Sequence, residues 1–293
     1  MMLPLALAPP WNDRAGRFSA LKMAVMLACL APALWLAVQA GAGWLGTKPV
    51  TEAIHQSGDW AVRFLLVSLA VTPLRHVAQW PQLISVRRML GVTALGYALL
   101  HLGLYAVQQS FDVVKIASEI VLRFYLTIGF VALMGLIVLG LTSTDAMIRR
   151  LGAQQWNALH KIVYGLAVLA LVHFFLQSKL DVTQPVLMAG FFFWLMGFRL
   201  MRRFKLSISG ISLGLLAVAA AMLTALVEAG WYAGMTGAGA LQVLAANLDF
   251  GLTIRPAWWV LAAGLGLAGL YLMRGYIAKV QAARQVSSKP ASA

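Results

Sequence analysis

Long apolar stretches, separated by short polar segments, run through almost the whole chain. A helix of about 20 apolar residues crosses the hydrocarbon core of a bilayer. Eight stretches of suitable length therefore predict transmembrane helices, over residues 21–40, 60–75, 90–108, 122–141, 158–177, 185–200, 210–230 and 257–275. The pattern predicts an all-α integral membrane protein, a helical bundle of about eight transmembrane helices.

The distribution of charge predicts how these helices are oriented. Hydrophobic residues make up 61% of the 293 residues and charged residues only 11%, as expected for one membrane domain. If the N-terminus lies inside, most of the 23 Lys and Arg residues fall in the inner segments, where cytoplasmic loops collect them. We therefore expect a multi-pass membrane protein with both termini in the cytoplasm. Residues 1–20 would form a cytoplasmic segment, and residues 277–293 a disordered cytoplasmic tail.

The same charge pattern bears on binding partners and on processing. The net charge of +14 is explained by topology and by contact with anionic lipid, so no nucleic-acid binding is expected. No cleavable signal peptide stands out, and we expect the first helix to remain as an anchor.

Cysteine and glycine patterns exclude several redox classes. Cys29 is the only cysteine, which excludes an intrachain disulfide, a cysteine-held iron–sulfur cluster and covalent c-type haem. Glycine patterns at residues 41–46 and 264–269 match the spacing of a dinucleotide-binding loop, but neither follows a predicted strand. We expect a loop at the first and close helix packing at the second. The chain is thus expected to lack its own nicotinamide domain.

Three histidines lie within the predicted helices, where an imidazole usually has a partner. His101 lies 13 residues after Arg88, and His173 lies 13 after His160, a rise of about 20 Å in each case. Because both helices run from inside to outside, His101 and His173 are predicted to share one level in the outer half of the membrane. Neutral imidazole is a preferred axial ligand of haem iron, so this pair predicts a haem site.

His160 and the adjacent Arg87 and Arg88 would form a second, inner level. On an ideal helix a spacing of 13 residues turns the side chain by roughly 220°, so His160 and His173 share a face only if the helix bends. Gly165 would allow such a bend.

Other interpretations of the histidines remain open. Each could instead form hydrogen bonds between helices or belong to a proton path. A haem site would be compatible with more than one electron acceptor, so the chain could be a ferric reductase or a quinol-linked cytochrome. Without haem, the histidines would suit a proton-coupled transporter. His55 and His76 flank helix ends, and we expect them to be solvated and without a role.

Several ordered motifs carry a resemblance to a known family. They are VTPLR (71–75), RRMLGVTALGYALLHLGLY (87–105), LRFYLTIGF (122–130), LTSTDAMIRRLGAQQWNALHKIVY (141–164) and HFFLQSK (173–179). The chain resembles the haem-binding membrane subunits of the bacterial protein-methionine-sulfoxide reductase system, the MsrQ (YedZ) family of ferric-reductase-like proteins. The resemblance implies a six-helix haem-binding core over residues 21–205, with an additional transmembrane helical pair over residues 206–276.

The resemblance also implies cofactors, partners and residue roles. One or two b-type haems would be bound by His101, His160 and His173, the axial ligands of the haem iron. Arg87 and Arg88 occupy the place of a fourth histidine in larger relatives, and they would contact a haem propionate or a flavin phosphate. FMN is implied near the cytoplasmic side, and the bacterial inner membrane is the implied location.

The implied function is electron transfer without bond chemistry on this chain, in an oxidoreductase complex whose catalytic subunit is another protein. Electrons would come from the quinone pool or a cytoplasmic flavin reductase and pass to a periplasmic molybdopterin methionine-sulfoxide reductase, MsrP, which repairs oxidised proteins. In the additional pair, Glu228 lies near Trp231 and Tyr232, which predicts an interfacial carboxylate.

Overall fold

The computed structural model describes residues 9, 11–13, 15–179, 181–251 and 253–287, with side chains as far as residue 281. Part of the predicted N-terminal segment, and the last residues of the predicted tail, lie outside this range. The described residues form eleven α-helices and no named strand: α1 (Ala20–Gly41), α2 (Pro49–Val77), α3 (Arg87–Gln108), α4 (Val113–Leu122), α5 (Phe124–Leu141), α6 (Asp145–His160), α7 (Val163–Ser178), α8 (Thr183–Arg203), α9 (Gly210–Thr236), α10 (Ala240–Ala246) and α11 (Pro256–Ser287). A 3₁₀ helix, Pro81–Val86, precedes α3.

Seven helices in the described part of the chain are long and apolar enough to cross a membrane. The helices α6 and α7 form an eighth candidate span, bent by 41° at the break between them. The prediction of an all-α, multi-pass membrane protein with about eight spans is therefore confirmed.

The fifth predicted span differs in one respect that affects the site. It was predicted as a single helix over residues 158–177, but His160 is the last residue of α6 and His173 lies in α7. The reason is that the sequence before His160 is amphipathic and rich in polar residues, so it forms a helix of its own. The bend lies between α6 and α7, ahead of Gly165.

The C-terminal tail also differs from the prediction. The helix α11 continues to Ser287, so the stretch from residue 277 to residue 287 is helical where a disordered tail was expected. This stretch is rich in Ala, Gln, Lys and Arg, which have high helix propensity and extend the preceding helix without a breaker.

The chain divides into two compact units, and the first contains the described residues up to Ser68 together with Ile84–His173. In this unit the Tyr97 hydroxyl of α3 enters the backbone of α1. It donates a hydrogen bond to the Cys29 carbonyl at 2.9 Å and accepts one from the Ala33 amide at 2.9 Å. Pro32 lies between these two residues and disturbs the helical ladder, so the hydroxyl replaces the bond that would join them.

The second unit contains Leu69–Leu83 and the described residues from Phe174 onward. Here α8, the last helix of the predicted six-helix core, packs against α9 and α11. The helices α9 and α11 approach closely through glycine: a Cβ at Gly264 would lie 2.5 Å from the Ala217 Cβ. The prediction of a loop after the first helix is confirmed, since Gly43 and Gly46 have positive φ in the turn after α1. Of the second glycine pattern only Gly264 packs closely, because a Cβ at Gly266 or Gly269 would meet nothing within 4 Å.

A buried polar cluster lies at one end of this second unit. Glu228 of α9 is only 1% exposed, and its carboxylate accepts hydrogen bonds from Arg255 Nη1 at 3.1 Å and Asn247 Nδ2 at 3.2 Å. The prediction of an interfacial carboxylate stays a prediction, and the structure adds that Arg255 and Asn247 fold over Glu228 and serve as its partners.

Candidate functional site

The rings of His101 and His173 lie side by side within the first unit. Their centroids are 6.2 Å apart and their planes are nearly perpendicular, at 85°. His101 comes from α3 and His173 from α7, and both side chains are half-buried. These two residues, called the histidine pair below, are thus brought together, as equal depth on two helices predicted.

A backbone carbonyl holds each ring of the histidine pair. Nδ1 of His101 lies 2.8 Å from the Ile54 carbonyl oxygen of α2, and Nδ1 of His173 lies 2.8 Å from the Tyr125 carbonyl oxygen of α5. Because a carbonyl only accepts, Nδ1 is the donor in each bond. In the neutral ring Nε2 is then unprotonated, and its lone pair is available to a metal.

The separation of the rings fits one metal ion between them. A metal–imidazole bond is about 2 Å long and the ring nitrogen lies roughly 1 Å from the ring centroid, so two such ligands on one ion place their centroids roughly 6 Å apart. The observed value is 6.2 Å. In the described part of the chain no three His, Cys, Asp or Glu side chains come together as a metal site. A planar macrocycle that supplies four equatorial ligands therefore suits this pair, and the residues present fit a haem iron with two axial imidazoles.

Two glycines provide the space for these rings. A Cβ at Gly58 would lie 3.0 Å from His101 Nδ1, and a Cβ at Gly129 would lie 2.8 Å from His173 Nδ1. Glycine inside a helix costs about 1 kcal/mol relative to alanine. At Gly58 and Gly129 this loss of helix stability allows an imidazole to lie directly against the helix backbone.

His160 has different surroundings. Its ring stacks on Trp156, with centroids 3.8 Å apart, and its Nε2 lies 3.2 Å from the Thr142 hydroxyl. Trp156 Nε1 donates to the Thr142 carbonyl at 2.9 Å, which fixes the tryptophan against the end of α5. An imidazole with these contacts is held in place by α5 and α6, and a metal would have to displace the Thr142 hydroxyl to reach Nε2.

A cavity of about 200 Å³ opens beside His160. Its lining combines two cations, two aromatic rings and an amide, contributed by Arg87, Lys161, Trp156, Tyr164 and Asn157 together with His160. Such a lining suits a flat molecule that carries a negative charge, because the cations attract the charge and the rings cover the flat face.

The two arginines at the start of α3 have different contacts. Arg87 lines the cavity, whereas Arg88 forms an ion pair with Asp145 at 2.7 Å on an exposed surface. Of the two remaining histidines, His55 is exposed, and His76 lies beside Phe198 with ring centroids 6.5 Å apart. Arg87 and His160 thus line the same cavity, whereas the inner level predicted for His160, Arg87 and Arg88 stays a prediction.

Sequence reasoning missed the parts of the site that surround the histidines. Gly58, Gly129 and the two carbonyls were assigned no role, and neither were Trp156 and Thr142. For Gly129 the available signal was a glycine inside an apolar helical stretch, since it lowers helix propensity and therefore indicates close packing. Gly58 lies in a polar segment ahead of the predicted stretch 60–75 and had no such signal. The carbonyl acceptors had no signal, because every residue has one.

Comparisons with known proteins identify the family of the chain. The family described as ferric reductase like transmembrane component matches residues 57–171, a range that contains His101 and His160. No solved structure matches the chain.

Relatives named protein-methionine-sulfoxide reductase heme-binding subunit MsrQ match the chain, among them the following three. The relative from Rhodospirillum rubrum is 41% identical over 190 residues, which cover 64% of this chain and 89% of the relative. The relative from Caulobacter vibrioides is 38% identical over 60% of this chain and 84% of its own length, and that from Azospira oryzae is 37% identical over 65% and 83%. These matches span nearly the whole of each relative and leave about a third of this chain outside the similarity.

Identity at this level over most of each relative's length, combined with the ferric-reductase-like region and eight candidate spans, establishes the relationship. The chain belongs to the MsrQ family of protein-methionine-sulfoxide reductase heme-binding subunits.

Proposed function

We propose that this chain is a b-type cytochrome subunit that carries electrons across the bacterial inner membrane. The electrons would come from quinol or a cytoplasmic flavin donor and pass to a periplasmic molybdopterin methionine-sulfoxide reductase of the MsrP type. The observation that carries the proposal is the histidine pair, whose rings are 6.2 Å apart and are both held through Nδ1. The name of the relatives, which describes heme-binding subunits, supports it.

Haem bound at the histidine pair would supply reversible one-electron transfer. The chain's own residues would hold the two Nε2 atoms toward each other and keep water away from the space between them. Hydrogen bonds from Nδ1 to the carbonyls of Ile54 and Tyr125 make the imidazoles stronger donors and fix their orientation. Because the ligands are locked before and after electron transfer, little reorganisation accompanies it.

The cavity beside His160 is proposed as the place where a second group binds. Arg87 and Lys161 would neutralise an anion there, either the propionate of a second haem on His160 or the phosphate of FMN, and Trp156 and Tyr164 would cover its flat part. With the N- and C-termini in the cytoplasm, this level lies near the inner surface and the histidine pair lies further out. Electrons would then move from the cavity level toward the outer level.

The test begins with haem content. His101→Ala and His173→Ala should each remove the haem of the histidine pair, because each removes one ligand. The reduced-minus-oxidised absorption of the purified protein should then disappear if it binds one haem, and should fall by the share of one haem if it binds two. His76→Ala is the matched control, since His76 packs against Phe198 in the second unit. A pyridine haemochrome assay with a flavin measurement on the same sample gives the stoichiometry of each cofactor.

Two outcomes would overturn the proposal at different levels. A colourless, folded wild-type protein would remove the cytochrome assignment altogether. If the reduced protein contains haem but no methionine-sulfoxide-reducing molybdoenzyme reoxidises it in a stopped-flow experiment, the chain is a cytochrome with another acceptor.

A further inference from the structure

The two rings of the histidine pair are held by the same local arrangement on two different helices. On α2 the Ile54 carbonyl accepts from His101, and Gly58 follows four residues later. On α5 the Tyr125 carbonyl accepts from His173, and Gly129 again follows four residues later. The two bonds span 47 and 48 residues of sequence, so the arrangement is repeated in spacing as well as in geometry.

Helix geometry explains why the glycine stands one turn after the carbonyl. Residues i and i+4 lie on the same face of a helix, and every Cβ tilts toward the helix N-terminus. The Cβ at position i+4 therefore leans over the carbonyl of residue i and blocks a ring that approaches it from the side. Without a Cβ at Gly58 and Gly129, each imidazole reaches the carbonyl.

The distances show that these two positions are special among the glycines near the site. A Cβ at Gly58 would meet His101 Nδ1 and Cε1 at 3.0 and 3.1 Å, and one at Gly129 would meet His173 Nδ1 and Cε1 at 2.8 Å each. By contrast, a Cβ at Gly103 of α3 or Gly165 of α7 would meet nothing within 4 Å. A methyl group thus fits at Gly103 and Gly165, on the helices α3 and α7 that contain the histidines. It does not fit at Gly58 and Gly129, on the helices α2 and α5 that accept their hydrogen bonds.

We propose that Gly58 and Gly129 are positioning residues that, with the carbonyls of Ile54 and Tyr125, set the two imidazole planes at right angles. The inference rests on the proposed function, since it concerns ligands of a haem bound between the rings. Each carbonyl fixes the direction of one Nδ1–H bond and each glycine face fixes the plane of that ring. The angle of 85° between the ring planes results because one carbonyl and glycine on α2 orient His101, and the other carbonyl and glycine on α5 orient His173.

The angle has an electronic consequence that can be measured. Each imidazole π system overlaps mainly with one of the two iron d orbitals that lie out of the haem plane. When the rings are perpendicular, the two orbitals are raised equally and stay close in energy, and low-spin ferric haem then gives a strongly anisotropic electron paramagnetic resonance signal. Rotation of either ring toward the plane of the other separates the orbitals and reduces the anisotropy.

The experiment compares Gly58→Ala and Gly129→Ala with the control variants Gly103→Ala and Gly165→Ala in the full-length, haem-loaded protein. In the first two, the methyl group pushes the ring away from its carbonyl, and the lowest-field feature of the ferric signal should shift to smaller g. The haem midpoint potential should shift as well, because the ring loses its Nδ1 hydrogen bond. In the two controls both quantities should equal those of the wild type.

Each result decides the inference. Signals in Gly58→Ala and Gly129→Ala that match the controls, with haem still bound, would overturn it while leaving the proposed function intact. Loss of haem with wild-type helicity and thermal stability would support it, because only the ligands have then been displaced. Loss of haem together with helicity would assign the glycines to helix packing and overturn it. Absence of haem from the wild type would overturn the inference and the proposed function together.

Discussion

Neutralising Glu228 should destabilise the second unit by an amount set by its buried ion pair. The change Glu228→Gln keeps the volume of the side chain and an oxygen that can accept from Asn247. It removes the negative charge that faces Arg255, whose side chain is 32% exposed against 1% for Glu228. The variant therefore isolates the charge from the packing.

The expected magnitude follows from these exposures. Removing one partner of a fully buried pair costs about 3–5 kcal/mol, because the other charge is left uncompensated. Arg255 is only partly buried and can turn toward water or lipid headgroups, which relieves part of this cost. We expect a loss of about 2 kcal/mol in the free energy of unfolding.

The assay is equilibrium unfolding of the purified full-length chain in micelles, with Asp145→Asn as the control. Asp145 pairs with Arg88 at a surface where the two side chains are 72% and 43% exposed, so its loss should change stability by less than about 1 kcal/mol. The double variant Glu228→Gln with Arg255→Gln should lose less than the sum of the two single losses. A loss for Glu228→Gln below about 0.5 kcal/mol, or strict additivity in this cycle, would refute the reasoning.

Three further outcomes are expected from other parts of the chain. His160→Ala should leave the haem of the histidine pair in place by the pyridine haemochrome assay, and complete loss of haem would contradict the separation of the two levels. Arg87→Gln should lower FMN retention, measured by flavin fluorescence, whereas Arg88→Gln should not; equal effects would contradict the division between cavity and surface. A hydrogen bond from the Thr183 amide lowers the pKa of the Asp181 carboxyl, so this bond stabilises the fold above the ordinary pKa of about 4 and loses its effect as the pH falls through the lowered folded-state value. Asp181→Asn should therefore flatten the acid side of the thermal stability profile, and an unchanged profile would contradict this assignment.

The sequence predicted the membrane spans because hydrophobicity and length are properties of single segments. The helices α1, α3, α5, α8, α9 and α11 contain or closely match predicted stretches. It also predicted that His101 and His173 share a level, since counting along straight helices requires no knowledge of neighbours. The proximity of these two rings was thus accessible from the sequence.

Features that depend on contacts between different segments of the chain could not be predicted from the sequence. The break between α6 and α7 falls at Lys161 and Ile162, without a proline or glycine to mark it, so His160 was placed in the wrong helix. The pairing of Glu228 with Arg255 depends on how a loop folds back over α9, and no periodicity encodes it. The contact of Gly58 with His101 is of the same kind, because it joins residues of two helices.

The Tyr97 hydroxyl, which replaces one backbone hydrogen bond of α1, fixes the position of α3 along α1. His101 follows Tyr97 by four residues on the same face of α3, so a hydroxyl that is anchored to Cys29 and Ala33 also fixes the height of that imidazole. Sliding α3 along α1 would strand two backbone groups in hydrocarbon, where water cannot rescue them. In the proposed function, the rate of electron tunnelling falls steeply with distance. The helix α1 supplies no ligand, yet by fixing the height of His101 it would set the distance that the electron has to cross.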